Sequence, residues 1–177
     1  MNFSWNDAWN RRTRQLRPSV IQEMMDLARQ PGAISFTAGE PSGELYPVDE
    51  LRACMDRTLK SHPESLGYPP IKGYIGLREW ISGWMQARGL SSEAVDPENI
   101  LVTNGSQGSI NQMAQLFLEE GDAIMLEDPS YPEAMTTFRR ECVDLLPVPM
   151  DEHGPLPEAM ERHLRNKKVR FFYTIPT

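Results

Sequence analysis

Gly105-Ser106-Gln107 follow the short run Ile100–Thr103 and precede Ile110, Met113, Leu116 and Phe117, which recur at helical spacing. That order predicts a buried strand over 100–103, a turn at Asn104-Gly105 and a helix. A strand feeding a Gly-Ser turn presents uncommitted backbone N–H groups and the positive end of a helix dipole. Both suit a phosphate group. The same residues would equally serve as a tight turn at Gly105 and a plain helix cap at Ser106. A second turn, Asp128-Pro129-Ser130-Tyr131, follows another apolar run and carries an aromatic ring. Both turns lie at the C-terminal ends of predicted strands, where parallel α/β sheets hold their ligands.

The elements that must position these turns alternate after Asp96-Pro97. The pattern predicts a strand over 100–103, a helix over 106–119 and a strand over 123–127. A helix over 132–141, a strand over 143–148, a helix over 155–166 and a strand over 169–175 follow. Short apolar strands alternating with helices imply a parallel sheet covered by helices on both faces. Ahead of that region the first 33 residues read as an arm followed by a helix that Ser19 can cap, with Val20, Ile21, Met24, Met25 and Leu27 near helical spacing. A second helix begins near Pro47-Val48-Asp49-Glu50, with Leu51, Cys54, Met55 and Leu59 as its expected inner face. Leu77, Trp80, Ile81, Trp84 and Met85 fall at i, i+3, i+4, i+7 and i+8, an amphipathic helix whose tryptophans are expected in the core. Between these helices, Leu66 to Gly76 holds three glycines and two prolines beyond its first residue and reads as a loop.

The bulk properties exclude several function classes. The 177 residues are 40% hydrophobic and 24% charged, a globular composition. The net charge of -7, with no basic stripe, argues against a nucleic-acid partner. No apolar run approaches the roughly 20 residues a membrane-spanning helix needs. The start of the chain lacks the charged and apolar regions of a signal peptide. Cys54 and Cys142 are far apart and read as reduced, half-buried residues of a cytoplasmic protein. His62, His153 and His163 form no metal-ligand spacing and read as surface residues; no metal site is expected.

Five motifs occur in order: Phe36-Thr-Ala-Gly-Glu-Pro41, Gly67-Tyr68 ahead of Gly73-Tyr-Ile-Gly-Leu-Arg78, Thr103-Asn-Gly-Ser-Gln107, Glu127-Asp-Pro-Ser-Tyr-Pro132, and Phe172-Tyr-Thr-Ile-Pro176. Together they resemble the N-terminal half of the fold type I pyridoxal 5′-phosphate (PLP) aminotransferases. The 2-aminoadipate and kynurenine aminotransferases and the similar domains of MocR-type regulators are the most alike. The resemblance runs from about residue 15 to the end. It implies an α/β fold, part of the large PLP-binding domain with a mostly parallel sheet, plus an arm and a small-domain segment. The boundaries it implies are 1–45 for arm and small-domain segment and 46–177 for the large domain.

The resemblance also assigns roles. Ser106 and Gln107 match the phosphate-binding turn, with Gly105 giving its backbone room. Tyr131 matches the ring-stacking aromatic residue. Tyr68 matches a tyrosine that serves the cofactor phosphate of the partner subunit in a homodimer. Gly39 matches a backbone position beside the substrate, or is a loop glycine. Arg17, with Arg14, is a candidate for a substrate carboxylate. Gly108 departs from the family, which usually has a side chain there. The implied reaction moves an amino group from an amino acid to a 2-oxo acid. Another PLP reaction, lyase or decarboxylase, and a non-catalytic effector-binding or dimerisation role are the alternatives.

By this resemblance the chain is truncated. The lysine that binds the cofactor covalently is not among Lys60, Lys72, Lys167 and Lys168, so no catalytic residue is assigned here. The 177 residues alone are expected to be inactive, with the C-terminal half as their partner. The first strand, 100–103, should lie apart from the next two, separated by strands that come later in the family's chain.

Overall fold

The computed structural model describes residues 4–176, except 15, 17, 18, 35, 37, 38 and 40. Two units emerge: residues 1–38 with 105–177, and residues 39–104.

In the first unit, α1 (Trp5–Ala8) and α2 (Arg11–Arg14) are single turns and α3 spans Val20–Ala28. Ser19 caps α3 as its residue type predicts, accepting from the Gln22 N–H at 3.2 Å. Then follow α6 (Gly105–Phe117), β1 (Ala123–Asp128), α7 (Pro132–Arg140), β2 (Asp144–Asp151), β3 (Gly154–Pro155), α8 (Pro157–Asn166) and β4 (Val169–Tyr173). The labels α4 and α5 belong to the second unit: Val48–Ser61 and Ile75–Ala87.

The sheet order is β3-β2-β1-β4. β1 runs parallel to β2, from Ala123 beside Asp144 to Asp128 beside Pro149. It also runs parallel to β4, with Met125 beside Phe172. The β2–β3 pair is an antiparallel hairpin. Five consecutive residues of β1, Ala123 to Glu127, are buried, as a central strand covered on both faces requires. Alternate side chains go to opposite faces. Ile124 packs with Ala114, Leu118, Ala134 and Phe138 under α6 and α7, whereas Met125 packs with Val148 and Ala159 under α8. Helices therefore cover both faces, as the alternation predicted.

Pro147 and Pro149 stand inside β2, where a missing donor would break an inner ladder. The Pro149 carbonyl accepts from the Leu156 N–H at 2.9 Å, and the His163 ring nitrogen lies 2.9 Å from the Pro147 carbonyl. These residues face away from β1, so the ladder with β1 loses no donor.

Asp122 ties the entrance of β1 to its neighbours. Its carboxylate lies 2.8 Å from Arg170 Nε and accepts from the Glu119 N–H at 2.8 Å. Its carbonyl accepts from the Asp144 N–H at 2.8 Å. The bond from Arg170, and then the Glu119 N–H, hold the Asp122 carboxyl below its ordinary value. A carboxyl lowered in the folded state stabilises above its unfolded pKa and loses that contribution as pH falls through the folded pKa. Asp122→Asn is therefore expected to be less stable than wild type at neutral pH, with the difference closing below about pH 4. Denaturant midpoints across pH 2–7 check this; parallel wild-type and variant curves would remove the role.

Three expectations are corrected. Residues 100–103 form no strand; the Val102 N–H donates to the Lys72 carbonyl at 3.0 Å instead. An apolar run specifies a tendency, and a strand exists only beside a neighbour. Leu51, Cys54, Met55 and Leu59 of α4 are exposed, and Cys54 is not half-buried. On α5 the buried residues are Arg78 and Ser82, while Trp80 is 63% exposed and stacks on Trp84 with centroids 6.2 Å apart. Helical periodicity marks a face that can be buried but carries no information about what covers it.

Candidate functional site

The candidate turn opens α6. Gly105 has φ +76°, a conformation that L side chains rarely adopt, and a Cβ built there would meet nothing within 4 Å. The backbone angle calls for glycine, and the space where a Cβ would stand is open. The helix begins at Gly105, so Ser106 lies inside the first turn and not ahead of it. Residue preference alone placed the cap at Ser106, whereas that residue lies within the first helical turn. The N–H groups of a first turn have no intrahelical acceptor and point out of the helix end. Ser106 and Gln107 are both exposed there.

The Gln107 side chain is engaged. Its Nε2 donates to Thr137 Oγ1 at 2.7 Å and approaches the Glu133 carbonyl at 3.4 Å. Thr137 is buried on α7. These bonds hold the N-terminal ends of α6 and α7 side by side at the C-terminal end of β1.

Tyr131 immediately precedes α7 and is 38% exposed, with its carbonyl accepting from the Met135 N–H at 3.1 Å. The Asp128–Pro129 peptide before it is cis. Ser130 Oγ is buried and has no hydrogen-bond partner among the described residues. Sequence reasoning passed over three further groups here. Glu127 is buried at the end of β1 and accepts from the Thr174 hydroxyl and, at 3.0 Å, the Ile175 N–H. A carboxylate closing an apolar strand was the available signal. Thr137 lies one helical turn beyond Glu133, a spacing that could have marked it. Tyr173 has its phenol pushed above the ordinary value by burial, with the charges of Tyr131 and Glu127 adding to the effect.

A groove of about 640 Å³ lies nearby, lined by Ile110, Met113 and Phe117 of α6 and by Phe171 and Tyr173 of β4. Neither Ser106, Gln107 nor Tyr131 lines it. It is the apolar flank of β4, not the candidate site.

Chemically, the donor set fits a phosphorylated aromatic cofactor. Free first-turn N–H groups and the Ser106 hydroxyl suit the phosphate, Tyr131 offers a ring face, and Ser130 supplies an unsatisfied buried hydroxyl. No group of three or more His, Cys, Asp or Glu residues among the described residues could hold a metal. None of the described helices is long and apolar enough to cross a membrane.

The remaining predicted residues belong elsewhere. Gly39 and Tyr68 lie in the second unit, where both are exposed; a Cβ at Gly39 would meet nothing within 4 Å. Arg14 is exposed on α2. Arg17 lies outside the described residues.

Residues 31–174 match the family aminotransferase class I and II. A 2-aminoadipate transaminase from Thermus thermophilus is 35% identical over 176 residues, covering 99% of this chain and 42% of that relative. An uncharacterized HTH-type transcriptional regulator from Bacillus subtilis is 27% identical, covering 89% of this chain and 32% of the regulator. Among solved structures, an alpha-aminoadipate aminotransferase from Thermus thermophilus, complexed with N-(5′-phosphopyridoxyl)-L-leucine, superposes with a TM-score of 0.84 at 34% identity. That match covers 98% of this chain and 42% of the solved one. The chain thus spans about two-fifths of the length of these aminotransferases.

Proposed function

The chain belongs to the class I and II aminotransferases, and from that premise we propose that it forms the phosphate- and ring-binding part of a PLP-dependent enzyme. The reaction moves an amino group from an amino acid to a 2-oxo acid. The observation that carries this reading is the joined start of α6 and α7. It sets the first-turn N–H groups at Ser106 and Gln107 near the loop bearing Tyr131.

Bound there, PLP supplies an electron sink for the substrate's α-carbon. The residues of this chain bind and orient. Backbone N–H groups of the α6 turn and the Ser106 hydroxyl hold the phosphate dianion, favoured by the helix dipole. Tyr131 would offer its ring face to the pyridine ring. The buried Ser130 hydroxyl in the same loop, which has no partner among the described residues, would be left to donate to the bound group. Tyr68 serves the neighbouring subunit of a homodimer, Gly39 lies beside the substrate, and Arg17 contacts its carboxylate.

Two measurements test this reading on the protein purified at its native length. Borohydride reduction followed by intact mass analysis is expected to find one phosphopyridoxyl group per subunit. Tyr131→Ala is expected to bind PLP about tenfold more weakly, by loss of stacking and ring burial, with Tyr131→Phe close to wild type. Unchanged affinity in Tyr131→Ala would remove the stacking role. The similarity to a transcriptional regulator supports a second reading, in which the same site binds PLP without turnover. A labelled protein that transfers no amino group across a panel of amino acids and 2-oxo acids would favour it.

A further inference from the structure

We infer that Thr137 is a positioning residue for the phosphate turn, acting through the Gln107 side chain. This rests on the proposed reading of that turn as a phosphate site. Gln107 stands in the first turn of α6, where its side chain could have faced an anion directly. The amide is instead committed to α7. Its Nε2 donates to the buried Thr137 hydroxyl at 2.7 Å and lies 3.4 Å from the Glu133 carbonyl. Those acceptors occupy the amide nitrogen, so Gln107 contributes to anion binding through its backbone N–H.

The anchor is itself held. Thr137 is buried beside Phe138, which packs in the core under α6 and α7. Glu133, one turn earlier, accepts from the hydroxyl of Ser19, the cap of α3. A chain of polar contacts therefore runs from the cap of α3 through the first two turns of α7 to the first turn of α6. Its effect is to fix the angle at which the α6 N–H groups present themselves. Pre-set donors lose less entropy on binding than donors that must be ordered. Loss of the Thr137 hydroxyl frees the Gln107 side chain and loosens that turn.

The test compares PLP with pyridoxal, which lacks the phosphate, by equilibrium titration of the protein at its native length. Loss of one buried hydrogen bond predicts that Thr137→Val binds PLP about five- to tenfold more weakly. Pyridoxal affinity stays within about twofold, because the ring contacts are untouched. Thr137→Ser restores the wild-type ratio. Gln107→Ala reproduces the Thr137→Val loss, and the double variant is no weaker than either single one, as members of one unit behave. Thr137→Ala, which adds no apolar bulk, serves as the removal variant if Thr137→Val does not fold.

Loss in Gln107→Ala with wild-type affinity in Thr137→Val and Thr137→Ala would mean that the amide touches the phosphate directly, and would overturn the inference. Equal weakening toward PLP and pyridoxal would also overturn it, by showing general loosening. A wild-type protein with no preference for PLP over pyridoxal would instead sink the phosphate-site reading, and the inference with it.

Discussion

Phe138→Ala is expected to destabilise the first unit by about 3–5 kcal/mol, a large share of a typical domain's total stability. Phe138 is among the largest fully buried side chains. Its ring meets Phe171 edge-on with centroids 5.8 Å apart and Tyr173 at 5.4 Å. It also packs with Ile124 and with Ala114 and Leu118 of the α6 region. Truncation leaves a cavity bounded by β1, β4 and two helices, so collapse cannot fill it without moving the sheet. Phe138→Leu, which keeps most of the volume, is expected to cost about 1.5 kcal/mol or less. Denaturant midpoints at constant slope measure both. A Phe138→Ala midpoint as close to wild type as that expected for Phe138→Leu would mean that the site relaxes and that the aromatic packing is not what holds α7 on the sheet. The consequence reaches the candidate site, because α7 carries Thr137 and follows Tyr131.

Arg78→Ala is expected to be the most disruptive single change in the second unit. Arg78 is buried, and its guanidinium donates to the Gly73 carbonyl at 3.2 Å, the Pro97 carbonyl at 2.6 Å and the Glu98 carboxylate at 3.0 Å. Lys72 grips the same Glu98 at 2.9 Å, and bonds first from Lys72 and then from Arg78 hold that carboxyl below its ordinary value. Thus one side chain joins α5, the end of the Gly67–Gly73 loop and the turn at Pro97. Alanine would take the donor from the Gly73 carbonyl and leave the Pro97 carbonyl only the Ile100 N–H, at a cost of about 3 kcal/mol when charge-assisted bonds are lost. Lysine recovers little, since an ammonium cannot reproduce the planar fork. Hydrogen exchange reads the effect locally, at the Gly73 amide bonded to Pro70 and the Val102 amide bonded to Lys72. Unchanged exchange at both would show that the loop is held by its own turns.

The sequence by itself determined the elements whose patterns are local. Ser19 caps α3 because a hydroxyl before a helix finds an N–H two or three residues on. β1 was legible as an apolar run from Ala123 to Leu126 that ends on Glu127, and the glycine at 105 as part of a tight turn. The alternation of strand and helix announced a parallel sheet with two covered faces. The ordered motifs pointed to the family, and the match over residues 31–174 agrees.

Only the tertiary structure decided what meets what. Residues 100–103 have the composition of a strand, yet pairing depends on a neighbour that composition does not name. The apolar stripes of α4 and α5 have helical period, yet Leu51 and Trp80 are exposed and a charged residue, Arg78, takes the buried position. Gln107 was identified as a site residue from its place in a motif. That its amide would be bound to Thr137, thirty residues later, depended on how α6 and α7 pack across the sheet. The physical reason is common to all three. Propensity, capping and periodicity act over a few residues along the chain. Burial and hydrogen-bond partnership are settled between residues far apart in sequence, which one-dimensional pattern does not encode.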